Sequence, residues 1–233
     1  MCGRFVATTA PSQLALLFDA TLLDVHDDTF RANYNVAPTT QIVMLRAHEQ
    51  SRVLQPAHWG LLPAWSKDRS RAASMINARS ETLTEKPSFR PLLKTHRCVV
   101  PVDGYYEWRT VDVDASVKQP KQPYFIRSKD ERPLAIAGLW TTWGDPQRDA
   151  QEVHSCCIIT IAPNLPLAQI HDRMPCILDG DAIDTWLTAD SPPLEVLQTA
   201  ANDRVVAATV STAVNNVRNS GAALIEPTTT TLF

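Results

Sequence analysis

The second residue of the chain, Cys2, offers the most distinctive chemistry because of where it stands. A small second residue favours removal of Met1, which would leave a free α-amine and a thiol on adjacent carbons of Cys2. Such a 1,2-aminothiol condenses with an aldehyde to an imine, and the thiol then closes a five-membered thiazolidine. An α-amine titrates near ~8 and a thiol near ~8.5, so reactive fractions of both exist at neutral pH. Cys2 is therefore a candidate nucleophile; the alternative is an incidental cysteine in an unstructured terminus.

Residues 75–82 (MINARSET) form a second segment with polar side chains among apolar ones. If this segment is extended, Asn77 and Arg79 lie on one face, and Ile76 and Ala78 lie on the other. An amide and a guanidinium on one face suit a phosphate or a sugar ring. The alternative is a structural asparagine beside a surface arginine.

Residues 103–108 (DGYYEW) form a third such segment. On a strand, Tyr105 and Glu107 share one face, and Tyr106 and Trp108 share the other. Burial among aromatic rings disfavours the charged carboxylate, which would make Glu107 a candidate general acid and base near neutral pH. The alternative is an ordinary surface glutamate in a hairpin.

The fourth segment, residues 170–175 (IHDRMP), places His171 beside an aspartate and an arginine. A histidine in such a turn is either a proton shuttle or a hydrogen-bonded structural residue. The other histidines have no such neighbours and no metal-ligand spacing, and the chain contains no C-x-x-C pair. We therefore predict neither a metal site nor a cofactor.

These segments need a scaffold, and the apolar pattern predicts mostly short strands. Helices are expected at 11–19, 180–188 and 193–201. A tight hairpin turn is expected at 102–105, between two strands. Strands are expected at 41–46, 52–59, 98–102, 105–109, 123–127, 134–140, 156–162, 174–178 and 204–211. The fold class predicted is α+β, with a single domain over 1–233, mainly antiparallel sheet that curls towards a barrel, and short peripheral helices.

Composition bounds the class of protein. The hydrophobic content of 44% and the charged content of 20% are ordinary for a soluble globular chain. No apolar run approaches the ~20 residues of a membrane span, and no signal peptide is recognisable. The cysteines are odd in number, and four of them are expected to be reduced core residues: Cys98, Cys156, Cys157 and Cys176. We therefore expect an intracellular location, which in a bacterium would be the cytoplasm or nucleoid, and no membrane partner.

Charge is unevenly distributed along the chain. The net charge of −3 argues against a generally basic nucleic-acid binder. Residues 67–97, however, carry eight basic side chains against three acidic ones, a local excess of five positive charges. This segment is either a solvated basic face or one wall of a groove for a polyanion.

Taken together, these segments resemble the SRAP family (SOS response-associated peptidases, also called abasic-site processing proteins). The resemblance extends along the whole chain, in order, with no departure at the candidate site residues. It is carried by residues 1–5 (MCGRF), 34–38 (YNVAP), 59–61 (WGL), 76–82 (INARSET), 97–108 (RCVVPVDGYYEW), 170–175 (IHDRMP) and 210–219 (VSTAVNNVRN).

The resemblance implies covalent capture of abasic sites in single-stranded DNA through Cys2, which protects the lesion as a thiazolidine cross-link. Asn77, Glu107 and His171 match the family's other active-site residues. We expect His171 to help open the sugar ring, Glu107 to transfer protons, and Asn77 to orient Cys2 or the sugar.

The same resemblance implies a DNA-binding surface. Arg4 and Arg79 match phosphate-binding arginines, and Trp108 and Pro38 are expected to lie against flanking bases. Thr160 is a weaker candidate for a phosphate contact. The partner expected is single-stranded DNA with abasic sites, with replication machinery as a further partner, and the chain is expected to be a monomer.

Three alternatives remain beside this hypothesis. A thiol-dependent autopeptidase or N-terminal nucleophile hydrolase would turn over a peptide, and self-removal of Met1 belongs to this class. A non-catalytic module that reads modified bases would function with a blocked N-terminus. A protein with no DNA role would use residues 67–97 only as surface.

Overall fold

Two β-sheets make up most of the molecule. The computed structural model describes residues 2–110, 121–145, 151–201 and 203–228. The helices are α1 (Pro11–Phe18), α2 (Leu165–Ala168) and α3 (Asp181–Thr188). The strands are β1 (Phe5–Ala7), β2 (Thr21–Leu22), β3 (Asn33–Val36), β4 (Gln41–His48), β5 (Ser51–Trp59), β6 (Asn77–Arg79), β7 (Arg97–Val102), β8 (Gly104–Thr110), β9 (Lys121–Ser128), β10 (Leu134–Asp145), β11 (Gln151–Ile161), β12 (Met174–Pro175), β13 (Ile177–Leu178) and β14 (Val205–Thr209).

The larger sheet closes on itself as a five-stranded barrel. Strands β11, β10, β7, β4 and β5 pair antiparallel in that order, and a parallel pairing of β5 with β11 completes the ring. The short strand β6 pairs parallel to β11, just beyond the residues of β11 that pair with β5. The prediction of an α+β fold whose antiparallel sheet curls towards a barrel is confirmed.

The smaller sheet is antiparallel and has the order β14-β9-β8-β1-β3. Its strand β1 lies between β8 and β3, where Phe5 pairs with Tyr105 on one side and with Val36 on the other. Cys2 lies three residues before the start of β1 and belongs to the same buried cluster as side chains of the barrel. The N-terminus is therefore built into the core between the two sheets.

Strand β7 illustrates how closely the barrel wall is packed. Cys98 on β7 lies opposite Gly138 on β10, and Cys157 lies on the next strand, β11. A Cβ at Gly138 would lie 2.7 Å from the carbonyl oxygen of Cys157 and 3.0 Å from the Cys98 sulfur, so only glycine fits there. The four cysteines expected in the core (Cys98, Cys156, Cys157 and Cys176) are all free thiols and buried.

The predicted hairpin at 102–105 is wrong. Strand β7 pairs with β4 and β10 in the barrel, whereas β8 pairs with β1 and β9 in the other sheet. The chain crosses between the sheets at Asp103, whose carboxylate accepts hydrogen bonds from the backbone amides and hydroxyls of Thr8 and Thr9. This long-range anchor directs the chain into the second sheet, although Asp-Gly is also a common hairpin turn.

Two C-terminal predictions are also corrected. The helix expected at 193–201 is reduced to one 3-10 turn at Leu194–Val196. Beyond it the backbone bonds to a neighbouring segment, because the carbonyls of Ala200 and Ala201 accept from Asn164 Nδ2. The strand expected at 174–178 is split into β12 and β13, because Cys176 between them bonds to both β10 and β11. The helices expected at 11–19 and 180–188 are present as α1 and α3.

Candidate active site

Cys2 is fixed in the interior of the protein. The residue has no exposed surface, and the side-chain amide of Asn77 donates a hydrogen bond of 2.8 Å to its carbonyl oxygen. Strand β6 holds Asn77 in place because it pairs with β11 of the barrel, with Asn77 opposite Ile158. The N-terminal segment is thereby attached to the barrel wall at the candidate nucleophile.

Glu107 reaches the same place from the smaller sheet. It lies on β8, the central strand of that sheet, and only 4% of its surface is exposed. Burial raises the pKa of the Cys2 thiol well above its usual range, and the nearby Glu107 carboxylate raises that pKa further. A thiol in this setting holds its proton at neutral pH, so its attack needs a base or a change in its surroundings.

His171 comes from the loop after α2. That helix is capped by Asn164, whose side chain accepts a hydrogen bond from the Leu167 amide. Nδ1 of His171 contacts the Arg173 amide at 3.0 Å and Asp172 Oδ1 at 2.8 Å. Its Nε2 lies 3.8 Å from Glu107 Oε1. The imidazole edge that remains therefore faces the Glu107 carboxylate.

Arg173 fixes the loop that carries His171. Its guanidinium forms a two-pronged ion pair with Glu81, at 2.6 and 2.9 Å, and also donates to the carbonyl of Thr160. The pair joins the His171 loop to the 3-10 turn that follows β6. Neither Arg173 nor Glu81 was among the candidate residues, because the partners are 92 residues apart in sequence.

The four candidate catalytic residues are thus gathered at the junction of the two sheets. Tyr105 is a fifth neighbour that the sequence interpretation did not select. Its ring is buried on the same face of β8 as Glu107, and Cys2 lies within electrostatic reach of its hydroxyl. The signal was its position two residues before Glu107 on a strand, which places both side chains on one face.

Arg4 is held by the protein itself. Its Nη1 donates to Asn35 Oδ1 at 2.7 Å and to the Val214 carbonyl at 3.0 Å. Burial lowers the pKa of this guanidinium, although arginine keeps its charge at any physiological pH. Arg4 therefore supports the segment at 212–219, and a phosphate contact by Arg4 stays a prediction.

The residues expected to bind DNA are distributed unevenly. Arg79 is exposed at the end of β6, and Pro38 is half-buried just beyond β3. Trp108 is half-buried, and its indole Nε1 donates to Asn215 Oδ1 at 2.7 Å. Thr160 has no exposed surface, and its hydroxyl donates to the Ala78 carbonyl at 3.4 Å. The buried hydroxyl is therefore out of reach of a phosphate in this conformation, contrary to the contact expected for Thr160.

The basic segment at 67–97 is mostly surface, with one exception. Its other basic side chains are exposed, but Arg97 is only 4% exposed. The guanidinium of Arg97 donates to backbone carbonyls around the end of α3, including those of Trp186 and Ala189. Arg97 thus stabilises a helix terminus and adds nothing to a surface for DNA.

The sequence of the chain matches a known family along most of its length. The family model described as SOS response associated peptidase (SRAP) matches residues 1–217. The chain is a member of the SRAP family. Its SRAP relatives include the abasic site processing protein YoqW of Bacillus subtilis, 35% identical over 97% of this chain and 99% of the relative. They also include the abasic site processing protein YedK of Escherichia coli, 34% identical over 97% of this chain and 100% of the relative.

A vertebrate SRAP relative and a solved structure extend the comparison. The abasic site processing protein HMCES of Xenopus tropicalis is 32% identical over 94% of this chain and 76% of the relative. A crystal structure of a Bacteroides thetaiotaomicron protein superposes with a TM-score of 0.83 at 23% identity, covering 98% of this chain and 100% of that one. The fold is therefore shared well beyond the range of close sequence similarity. Within the described residues, helices are too short or too polar to cross a bilayer.

Proposed function

We propose that this protein processes abasic sites in DNA by forming a covalent cross-link through Cys2. The lesion is an abasic deoxyribose in single-stranded DNA, which is in equilibrium with a ring-opened aldehyde. The names of relatives that match nearly the whole chain support the abasic site as the target. The arrangement around Cys2 supports the covalent step.

The reaction begins once Met1 has been removed, because only then is the nitrogen of Cys2 an amine. The amine lone pair adds to C1′ of the aldehyde, and the carbinolamine formed loses one water to give an imine. The Cys2 sulfur then adds to the same carbon, and its proton passes to the nitrogen. The product is a thiazolidine, and one water is released in total. The second bond to C1′ makes the adduct more durable than an imine.

The neighbouring side chains supply the proton transfers. Glu107 lies close enough to Cys2 to influence its ionisation, and His171 Nε2 is 3.8 Å from that carboxylate. Glu107 takes the proton from the Cys2 amine or thiol, and His171 helps to open the sugar ring. Asn77 holds the Cys2 carbonyl at 2.8 Å and thereby orients the nucleophile.

DNA is bound beside this centre through its backbone and its flanking bases. Arg79 is exposed for a phosphate, and Arg4 contributes charge from a fixed position. Trp108 and Pro38 offer apolar surface to neighbouring bases, a mode of contact that tolerates any sequence. The expected binding is therefore weakly sequence-dependent and strongly salt-dependent.

The proposal rests on one arrangement: Asn77 bonds to the buried Cys2, Glu107 lies near Cys2, and His171 Nε2 lies 3.8 Å from Glu107. The test uses an oligonucleotide with a natural abasic site, followed by denaturing electrophoresis without a reducing agent. Wild-type protein is expected to give a cross-link that survives denaturation, and Cys2→Ala is expected to give none. Cys2→Ala should still bind an oligonucleotide that carries tetrahydrofuran, an abasic analogue with no aldehyde. A stable cross-link from Cys2→Ala would overturn the proposal.

The proximity of Glu107 to Cys2 favours a second candidate, self-removal of Met1. In this reaction a water adds to the Met1 carbonyl, and the peptide bond to Cys2 breaks with its nitrogen protonated. The test is translation in a reconstituted system without methionine aminopeptidase, followed by mass spectrometry of the N-terminus. Loss of Met1 in wild type and its retention in Glu107→Gln would support self-removal; equal retention in both would exclude it.

A further inference from the structure

Tyr105 carries a buried hydroxyl that the scheme above does not use. The residue is 1% exposed, and its Oη has no hydrogen-bond partner among the described residues. An unpaired buried hydroxyl lowers stability, because water would satisfy it in the unfolded chain. A buried polar group of this kind is explained when a ligand brings the missing partner.

The adjacent Tyr106 shows that tyrosine hydroxyls on this strand do not lack hydrogen-bond partners in general. Tyr106 points to the opposite face of β8, and its hydroxyl donates to the Tyr34 carbonyl at 2.8 Å. Two neighbouring tyrosines therefore differ in one respect that matters: Tyr106 has its structural partner, and Tyr105 does not. The face that lacks the partner is the face of Glu107.

The surroundings of Tyr105 keep its hydroxyl a hydrogen-bond donor. Burial raises the pKa of this phenol well above its usual value, and the nearby Cys2 and Glu107 raise it further. The hydroxyl therefore keeps its proton throughout the pH range in which an amine attacks an aldehyde. A second unpaired atom, Oδ1 of Asn77, is buried on the side chain that bonds to the Cys2 carbonyl. Cys2 thus has both an unpaired donor and an unpaired acceptor among its neighbours.

Resting on the proposed function, we propose that the Tyr105 hydroxyl donates a hydrogen bond to the aldehyde oxygen while the Cys2 amine attacks. As the nitrogen lone pair forms the new bond to C1′, the carbonyl electron pair moves to that oxygen. A fixed donor in a water-poor site stabilises the developing negative charge. The oxygen then takes the two protons that the nitrogen loses, one to form the carbinolamine and one as the C–O bond breaks, and it leaves as water. Tyr105 is in this sense a further catalytic residue.

The experiment compares Tyr105→Phe with Tyr106→Phe, two changes that each remove one hydroxyl. Cross-linking to a natural abasic oligonucleotide is followed under single-turnover conditions, and binding is measured with a tetrahydrofuran oligonucleotide. Tyr105→Phe should slow cross-linking on the order of 100-fold, with an unchanged Kd for the analogue and an equal or higher melting temperature. Tyr106→Phe should keep the wild-type rate within about twofold and melt at a lower temperature, because it loses a satisfied hydrogen bond.

The outcomes separate the two proposals. If the wild-type protein cross-links and Tyr105→Phe cross-links at the same rate, the role of Tyr105 is overturned and the proposed function stays intact. A Tyr105→Phe protein that is slow but also binds the analogue weakly or melts earlier would overturn it too, since a distorted site would explain the loss. Failure of the wild-type protein to cross-link would instead remove the proposed function itself.

Discussion

The two faces of strand β8 are built to different rules. On one face, the polar atoms form hydrogen bonds within the protein. The Tyr106 hydroxyl donates to the Tyr34 carbonyl at 2.8 Å, and the Trp108 indole donates to Asn215 Oδ1 at 2.7 Å. On the other face, the Tyr105 hydroxyl is buried beside Cys2 without a partner among the described residues. One strand therefore separates a face that contributes stability from a face whose polar atoms are kept for a ligand.

Two asparagines repeat the contrast. Asn35 uses its whole amide: Oδ1 accepts from Arg4, and Nδ2 donates to the carbonyls of Asn216 and Asn219 at 3.1 and 2.9 Å. Asn77 donates once, to the Cys2 carbonyl, and its Oδ1 has no partner in the described part of the chain. Asn35 joins β3 to the C-terminal segment, whereas Asn77 retains binding capacity at the site.

The largest effect is expected for Glu107→Gln, which keeps the size of the side chain but removes its ability to take a proton. The rate of cross-linking should fall by about 100- to 10,000-fold, as for loss of a general base. Single-turnover kinetics on the abasic oligonucleotide measure it, with the exposed Glu195→Gln as the matched control. A wild-type rate for Glu107→Gln would mean that another group carries out the proton transfer.

The asparagine pair sharpens the contrast through stability. Asn35→Ala should lower the free energy of unfolding by about 2–4 kcal/mol, because several buried hydrogen bonds are lost together. Asn77→Ala should lower it by about 1 kcal/mol, because one hydrogen bond is lost. The cross-linking rate, however, should fall further in Asn77→Ala than in Asn35→Ala. Urea titrations and single-turnover rates below the unfolding transition provide both numbers. The reverse ranking would abolish the distinction between the two regions.

The pH dependence of stability tests the thiols of the barrel. Burial raises the pKa of Cys176 to about 12 and also raises the pKa values of Cys98 and Cys157. Thiols of the unfolded chain titrate near ~8.5, so the unfolded state binds fewer protons above that pH. Their stabilisation is complete below about pH 8.5 and falls above it, by up to about 1.4 kcal/mol per pH unit for each thiol.

Urea titrations at pH 8 and pH 10 measure this loss. In Cys176→Ala, the free energy of unfolding should decrease less between the two pH values, because one of the thiols with a raised pKa is gone. Equal decreases in wild type and Cys176→Ala would mean that this thiol is not held protonated by burial.

The smallest effect is expected at the exposed Arg79. Arg79→Ala should weaken binding of a tetrahydrofuran oligonucleotide several-fold and reduce the salt slope of log Kd by about 0.7, as for one phosphate contact with single-stranded DNA. Lys129→Ala is the control, since it removes an exposed positive charge just beyond the end of β9. Equal slopes for both variants would exclude a phosphate contact by Arg79.

Much of the scaffold was predictable from local patterns. Helix α1 followed from Pro11 and the apolar residues at 14 and 16–18, and the long strands followed from their apolar runs. Of those apolar residues of α1, however, Leu16 and Leu17 are exposed, and only Leu14 and Phe18 are buried. The turn at Asp103 was not predictable, because the two strands that flank Asp103 pair with different sheets. Its partners Thr8 and Thr9 are about 95 residues away in sequence, and turn prediction from neighbouring residues cannot detect such a contact.

The candidate site was predictable in its residue types but not in its environments. The alternation of side chains on a strand correctly separated Tyr105 and Glu107 from Tyr106 and Trp108. Whether a polar atom has a partner depends on tertiary contacts, so Thr160 and Arg97 were expected at a surface that they do not reach. For the same reason the sequence predicted that Tyr105 shares a face with Glu107, but not that its hydroxyl lacks a partner.

The central claim is that Cys2, with its nitrogen unblocked, bonds twice to one sugar carbon. Intact mass spectrometry of the protein after incubation with an abasic oligonucleotide tests it most directly. The account predicts one new species, with the mass of the chain without Met1 plus that of the oligonucleotide minus one water, stable without borohydride. A species that retains Met1, or an adduct that persists only after borohydride reduction, would contradict it.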